Sequence, residues 1–285
     1  MEMSDERYLN IIDIARKAGK ILLRFYEKGN KTLSIENKNK DLLDFVTRAD
    51  KEADFFICLE ILKLFPNDKI ISEESFVEEA SFSGNAWFVD PLDGTKEFMF
   101  EGGRFSVMIG LCINGIPTFG VVYNPLEDIT YIGERGHGSF YKLPGTDWLR
   151  LQVSSISNLG ESTQVIRKLY DEKRDGDNFI NSLSVKNNIH DASFGLRFGR
   201  IANGEAEFTI NTNRRVSKWD TCAPQVILEE AGGRITDIFG EELNYKNPGI
   251  RWTNSFIASN NLFHDDIVLK CKKLAVLWGL ISESK

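Results

Sequence analysis

The sequence predicts a mixed α/β fold, and three observations indicate it. Residues 5–26 place apolar side chains at helical spacing, which predicts an amphipathic helix. Between residues 105 and 133, three alternating apolar runs are separated by Asn-Gly and Asn-Pro turns, a pattern typical of an antiparallel meander. In the second half, short strands alternate with helices, which indicates an α/β arrangement.

The first elements follow from local signals. Gly29 and Asn30 end the first helix, and the polar residues 36–41 are predicted to form a mobile turn. Residues 45–47 are strand-like, and Asp50 begins a second helix that runs to about residue 64.

Later elements are shorter. Strands are predicted at residues 69–72 and 87–89, each with acidic residues at its carboxyl end, and Asn114-Gly115 is the clearest hairpin turn. The loop-rich residues 143–160 divide the chain into a predicted N-terminal α+β subdomain and a C-terminal α/β subdomain, residues 1–142 and 143–285. Helices of the second half are predicted near residues 175–186, 194–203, 219–231 and 261–279.

Composition excludes several classes of protein. A chain of 285 residues with 42% hydrophobic and 27% charged residues is typical of a globular protein. It has no apolar run of about 20 residues and no leader-like N-terminus, so we expect a cytoplasmic protein without a membrane partner. A net charge of −7 argues against binding to a nucleic-acid polymer. Four scattered cysteines favour reduced thiols over disulfides or zinc.

The most informative stretch is Trp87-Phe-Val-Asp-Pro-Leu-Asp-Gly-Thr95. Pro91 favours a turn, so Asp90 and Asp93 can face the same side. Gly94 lets the backbone approach a ligand, and Thr95 can begin a helix whose N–H groups favour a phosphate oxygen. The alternative is an ordinary Asp-rich turn.

Two such close carboxylates need a positive charge between them. Oxygen ligands without a nearby cysteine or histidine point to Mg²⁺ or Mn²⁺. Asp50, Glu73, Glu74 and Asp220 also stand at element boundaries, where helix capping or a solvated surface is the alternative for each one taken alone.

Four motifs together resemble the inositol monophosphatase-like family of Mg²⁺-dependent, lithium-sensitive phosphatases. The resemblance covers nearly the whole chain and implies a layered αβαβα sandwich of the inositol monophosphatase and fructose-1,6-bisphosphatase type. The motifs are Val46-Thr-Arg-Ala-Asp50, Ile71-Ser-Glu-Glu-Ser75, Trp87-Phe-Val-Asp-Pro-Leu-Asp-Gly-Thr95 and Trp219-Asp220 followed by Glu230-Ala-Gly-Gly233.

The resemblance also implies a set of site residues. Glu73, Asp90 and the Leu92 carbonyl would hold a first metal, and Asp90, Asp93 and Asp220 a second. Glu73 and Thr95 would orient a metal-bound water, with Asp50 accepting from the Thr95 hydroxyl. Gly94 and Thr95 N–H groups would hold the phosphate. A weak third ion at Glu73 would be assisted by Lys38 or Lys40, between which the sequence does not choose. The family often forms dimers, which implies a homodimer.

Within the family the chain is similar to the 3'(2'),5'-bisphosphate nucleotidases, which remove the 3'-phosphate of adenosine 3',5'-bisphosphate. Thr95-Lys96-Glu97 has that branch's form, and Asn213 stands where inositol phosphatases carry a glutamate. The branch's clamp for the 5'-phosphate is less well matched. Phe194 or nearby Ser193 stands at the first of its positions, Arg197 at the second and Asn211 at the third. Arg214, Arg215 or Lys218 are further candidates.

Two other functions stay open from the sequence. One is hydrolysis of another small phosphate monoester, namely an inositol phosphate, a sugar bisphosphate or histidinol phosphate. The other is a non-catalytic scaffold, which would need a lost ligand residue. The histidines, including His264, are predicted to lie on the surface, and Phe55 is placed among core positions.

Overall fold

A computed structural model shows the fold. It describes residues 3–27, 35–37, 45–75, 84–99, 104–166, 183–211 and 216–277. The first half contains α1 (Arg7–Glu27), β1 (Ile35–Asn37), β2 (Phe45–Thr47), α2 (Arg48–Leu64), β3 (Lys69–Ser72), β4 (Asn85–Asp93), α3 (Thr95–Met99), β5 (Ser106–Ile113), β6 (Ile116–Asn124), β7 (Ile129–Glu134), β8 (Gly138–Lys142) and β9 (Leu149–Arg150).

The second half begins with a short 3₁₀ helix. It then contains β10 (Thr163–Ile166), β11 (Asn187–His190), α4 (Phe194–Ala202), β12 (Phe208–Asn211), α5 (Lys218–Glu230), β13 (Arg234–Asp237), β14 (Phe256–Ser259) and α6 (His264–Leu277). The predicted helices at 194–203, 219–231 and 261–279 are therefore confirmed with small shifts of their ends. The helix predicted at 175–186 is wrong for residues 183–186, which are not helical, and its remainder lies outside the described residues.

These elements stack in five layers. Helices α1 and α2 cover one face of a seven-stranded sheet in sequential order β3 to β9, in which β3 and β4 are parallel and the other pairs antiparallel. Helices α4 and α5 pack together on its other face. A five-stranded sheet of order β11-β10-β12-β14-β13 follows, and α6 contacts it through β14. The layered αβαβα prediction is confirmed.

A row of glycines lets α5 lie directly on the large sheet. Gly110, Gly120 and Gly133 face one another across β5, β6 and β7. A methyl group at Gly120 would lie 2.5 Å from the Ala223 carbonyl oxygen, and one at Gly110 would lie 2.6 Å from the Ala223 nitrogen. Such contacts are shorter than packed atoms allow, so side chains at these positions would push α5 away. The glycine row therefore sets how close the middle of α5 comes to the sheet.

Several sequence predictions have clear outcomes. The meander over β5 to β7 is confirmed, and Asn114 and Gly115 take the positive φ angles, 51° and 83°, of a tight hairpin turn. Residues 35–37 form a strand rather than part of a turn, and residues 38–44 lie outside the described part. Phe55 is 69% exposed, so its core assignment is wrong. The four cysteines are free, three of them buried.

The described part of the chain also bears on domains and membranes. One cluster of buried side chains includes Phe88 and Met108 from the large sheet and Ala223 and Phe256 from the second half, so the layers share a core. The division at residue 142 stays a prediction. None of the helices in the described ranges combines the length and the apolarity needed to cross a bilayer.

Candidate active site

The acidic residues of the first half meet at the end of two parallel strands. Strand β4 continues through Asp90 to Asp93, and its pairing with β5 shifts register between these two residues, which marks a bulge. The Leu92 N–H donates to Asp90 Oδ1 at 3.0 Å. The Glu73 N–H donates to the Val89 carbonyl at 3.1 Å, which places Glu73 beside this bulge. The predicted turn is therefore a bulged strand end.

The next residues form a tight connection into α3. Gly94 has φ +102°, a left-handed conformation that favours glycine, and a side chain there would also lie 3.1 Å from the Arg104 carbonyl. The Thr95 hydroxyl donates to the Leu92 carbonyl at 3.2 Å. Thr95 therefore stands next to the acidic residues, as predicted. The proposed contact of Thr95 with Asp50, which is buried near the start of α2, stays a prediction.

Asp93 joins the two halves of the molecule. Its Oδ2 accepts from the Ser193 hydroxyl at 2.5 Å, the Gly195 N–H at 2.9 Å and the Ser106 hydroxyl at 3.2 Å. Ser193 is the N-cap of α4 and accepts from the Leu196 N–H at 3.1 Å. The first turn of α4, where the helix dipole is positive, is thus directed at the Asp93 carboxylate.

Asp220 enters from α5. It stands in the first turn of this helix, and its Oδ2 accepts from the Ser217 N–H at 2.6 Å. Because α5 lies on the glycine row of the large sheet, Asp220 is brought to the same region as the strand carboxylates. Two elements that are about 130 residues apart in the chain therefore contribute to one acidic cluster.

The carboxylates of the cluster influence one another. Burial raises the pKa of Asp90 well above its usual value, and the charges of Glu73, Asp93, Asp220 and Asp50 raise it further. Burial also raises the pKa of Asp220, with Glu73 and Asp93 adding to this effect and the Ser217 N–H and Arg197 opposing it. Buried acids this close to one another favour any bound positive charge.

The residues fit a hard divalent cation by their chemistry. All the candidate ligands are oxygen atoms, and Asp90 and Asp93 are buried. Within the described ranges, however, no three acidic, histidine or cysteine side chains are arranged so that they already enclose an ion. Asp93 and Asp220 instead accept from N–H and hydroxyl groups.

The basic side chains predicted to bind substrate make other contacts in the structure. Arg197 is 2% exposed, and its guanidinium lies 4.2 Å from the centre of the Phe194 ring. Buried Lys218 donates to the carbonyls of Tyr245, at 3.0 Å, and Asn247, at 2.5 Å, and burial lowers its pKa to about 8. The proposal of Lys218 as a phosphate partner is thus not supported by its contacts.

Asn211 is a buried residue at the end of β12. The remaining residues named for substrate or for the third metal lie outside the described part of the chain, namely Lys38, Lys40, Asn213, Arg214 and Arg215.

Sequence reasoning missed the supporting residues Ser106, Ser193 and Asp191. Asp191 is buried, lies 3.1 Å from Arg200 and 3.6 Å from Arg104, and has its pKa raised to about 7 by burial, with Arg104 and Arg197 opposing this. A serine directly before a helix is a recognisable N-cap signal, so Ser193 was identifiable as a cap. No local signal indicated its contact with Asp93, which is 100 residues away in the chain.

Known proteins are similar to this chain in sequence and in fold. Residues 4–268 match the model of the inositol monophosphatase family. The chain is 30% identical to a fructose-1,6-bisphosphatase/inositol-1-monophosphatase of Thermotoga maritima, over 90% of this chain and 92% of that protein. It is 31% identical to a histidinol-phosphatase of Chlorobaculum parvum, over 87% and 92%. The structure of a Thermotoga maritima IMPase superposes with a TM-score of 0.80 at 29% identity, covering 95% of this chain and 98% of that one.

The fold, the acidic cluster and these relatives define a phosphatase that hydrolyses phosphate monoesters of small compounds. The chain belongs to the inositol monophosphatase family, whose members depend on metal ions.

Proposed function

We propose that the protein is a Mg²⁺-dependent phosphatase that removes the 3'-phosphate of adenosine 3',5'-bisphosphate, and also that of its sulfated form. The observation that carries the phosphatase mechanism is the meeting of Asp90, Asp93 and Asp220, from opposite halves of the chain, beside Glu73 and Thr95. Burying several carboxylates together is energetically unfavourable without cations, and bound cations would neutralise their charge.

The proposed ligands divide into two sets. Glu73, Asp90 and the Leu92 carbonyl would hold one Mg²⁺, and Asp90, Asp93 and Asp220 would hold another, with Mn²⁺ as an alternative ion and a weaker third ion at Glu73. The Leu92 carbonyl already accepts from Thr95, and its second lone pair can serve a metal. The bound ions would lower the pKa of a water molecule and neutralise charge on the phosphate.

The protein's own groups would orient the reactants. Glu73 and Thr95 would hold the attacking water by hydrogen bonds. The Thr95 hydroxyl, which donates to the Leu92 carbonyl in the structure, would then donate to Asp50 instead. The backbone N–H groups of Gly94 and Thr95 bind phosphate oxygens, and the positive φ of Gly94 supports this conformation. The two N–H groups are placed by the backbone, so they need little rearrangement during reaction.

The nucleotide substrate is supported by the Thr95-Lys96-Glu97 form of the motif and by the substitution at Asn213. A second phosphate also needs a cation, because an uncompensated anion in a cleft is costly. Arg197, whose guanidinium lies over the Phe194 ring, is the candidate for this cation. The second candidate, a phosphatase for inositol, histidinol or sugar phosphates, is favoured by the names of the relatives.

Phosphate release decides between these substrates. The purified protein is assayed with Mg²⁺ on adenosine 3',5'-bisphosphate, inositol 1-phosphate, histidinol phosphate, fructose 1,6-bisphosphate and AMP, with and without lithium and EDTA. We expect fastest turnover of the nucleotide bisphosphate, inhibition by lithium and EDTA, and a raised KM for this substrate in Arg197→Ala. A preference for inositol or histidinol phosphate would overturn the nucleotide assignment and keep the mechanism. Full activity of Asp93→Asn would refute the mechanism itself.

The proposal also includes the location and the oligomeric state of the protein. Four free cysteines are typical of a reducing compartment, which supports a cytoplasmic location. A homodimer is proposed from the resemblance to the family, and sedimentation of the purified protein measures it directly.

A further inference from the structure

We propose that Ser193, supported by Ser106, is a positioning residue that orients the Asp93 carboxylate for metal binding. This inference rests on the proposed metal-dependent phosphatase function. It assigns to the β11–α4 loop a role in metal affinity, in addition to any contact that α4 makes with substrate.

The hydrogen bonds of Ser193 fix the direction of its proton. Its oxygen accepts from the Leu196 N–H at 3.1 Å and lies 2.5 Å from Asp93 Oδ2. A carboxylate is an acceptor, so the single hydroxyl proton of Ser193 goes to Asp93. The helix cap therefore holds the hydroxyl in the rotamer that points at the carboxylate.

Ser106 strengthens the same contact from the large sheet. Its hydroxyl lies 2.9 Å from the Ser193 oxygen and 3.2 Å from Asp93 Oδ2, and both serines are fully buried. The Gly195 N–H adds a third donor at 2.9 Å. The donors that the described residues present to Asp93 thus all converge on Oδ2, and in this proposal Oδ1 is the oxygen that would bind the cation.

The loop that carries Ser193 is itself held in place. Asp191 in this loop pairs with Arg200 of α4 and with Arg104, which lies just before β5. A methyl group at Gly195 would lie 2.7 Å from Val122 and 2.9 Å from Ser106, so the first turn of α4 is packed tightly on the sheet. The orientation of Asp93 is therefore determined by the packing of α4.

Binding of Mn²⁺ alone tests the inference without measuring catalysis. The free ion is followed by its EPR signal during titration of wild type, Ser193→Ala, Ser106→Ala, Ser193→Thr and Ser139→Ala. Removal of a group that orients a metal ligand typically weakens binding about 10-fold to 100-fold. We expect a weakening of about 10-fold or more for Ser193→Ala, a smaller one for Ser106→Ala, and recovery in Ser193→Thr.

Ser139→Ala is the matched control. Ser139 is a fully buried serine of the same sheet, and within the described ranges its hydroxyl has no hydrogen-bond partner, so its removal should leave Mn²⁺ binding unchanged. Ser193→Ala also removes a helix cap, which costs about 1 kcal/mol of stability. Ser106→Ala loses the Asp93 contact without losing a cap, and a weakened affinity in that variant separates the two effects.

The outcomes distinguish this inference from the proposed function. If wild type binds Mn²⁺ and releases phosphate while Ser193→Ala and Ser106→Ala bind it as tightly as Ser139→Ala, the positioning role is wrong and the phosphatase proposal stands. If wild type neither binds Mn²⁺ nor releases phosphate, both proposals fail. Restoration of kcat in Ser193→Ala by excess metal would support a role through metal binding.

Discussion

The strand side and the helix side of the acidic cluster use charged residues in different ways. On the strand side, Asp90 and Asp93 occupy a bulged strand end, which brings their short side chains close together. On the helix side, Arg197 and Lys218 are long cations whose heads are buried against a ring and against carbonyl oxygens. Short acidic side chains remain where the backbone places them, whereas long basic side chains reach other parts of the core. Sequence position is therefore a better guide to the acidic residues proposed as metal ligands than to the proposed substrate clamp.

The largest expected effect is on the strand side. Asp90→Asn should lower phosphatase activity by about 10³-fold, because several kcal/mol of charge stabilisation by metal would be lost. The same variant should unfold at an equal or higher temperature than wild type in EDTA, since burial and neighbouring acids raise the pKa of Asp90 and make its charge unfavourable. Phosphate release and thermal unfolding measure both effects.

Asp147→Asn, which changes an exposed aspartate, is the matched control for that experiment. It should alter neither activity nor unfolding temperature. A variant Asp90→Asn that kept its activity and lost stability would show that the strand carboxylates have a structural role, and the contrast between the two sides would disappear.

On the helix side, Lys218→Met should act on stability. The carbonyls of Tyr245 and Asn247 would lose their donor, which costs about 1–3 kcal/mol for buried acceptors. KM for phosphate substrates should stay unchanged, because the amine contacts carbonyls. Urea unfolding and steady-state kinetics measure these quantities, with the exposed Lys246→Met as the control. A raised KM with unchanged stability would indicate that Lys218 contacts the substrate.

The smallest effect concerns His264, behind the second sheet. It is 1% exposed, its nitrogens lie 2.8 Å from the hydroxyls of Thr236 and Ser259, and burial lowers its pKa to about 4. The unfolded chain therefore binds more protons than the folded one between pH 6.5 and 4. Stability from neutral His264 is present above pH 6.5 and is lost as the pH falls towards 4.

From pH 7 to pH 5 this loss amounts to about 2 kcal/mol. His264→Gln, which keeps a polar side chain without a proton that titrates in this range, should show a flatter dependence of unfolding free energy on pH. Urea unfolding at several pH values measures the difference. Equal slopes for wild type and variant would mean that His264 is protonated in the fold without cost.

The surface position predicted for His264 was wrong for a tertiary reason. The residue does begin a helix, as its neighbourhood indicated, but α6 packs this first turn against β13 and β14. Phe55 shows the opposite error, since it lies on the outer face of α2. Helical periodicity identifies an apolar face without showing whether another element covers each position on it.

Local patterns determined the elements and the acidic motif. The spacing of apolar residues is sufficient to predict α1, and the alternation with the Asn114-Gly115 turn is sufficient to predict the meander. The segment from Asp90 to Thr95 is sufficient to predict a site with two close carboxylates. Each of these features depends on neighbours in the chain. Tertiary structure alone decided that Ser193 donates to Asp93, that the glycine row brings α5 and Asp220 to the large sheet, and that Lys218 is buried. These contacts join residues far apart in the chain, and their geometry follows from the packing of whole layers.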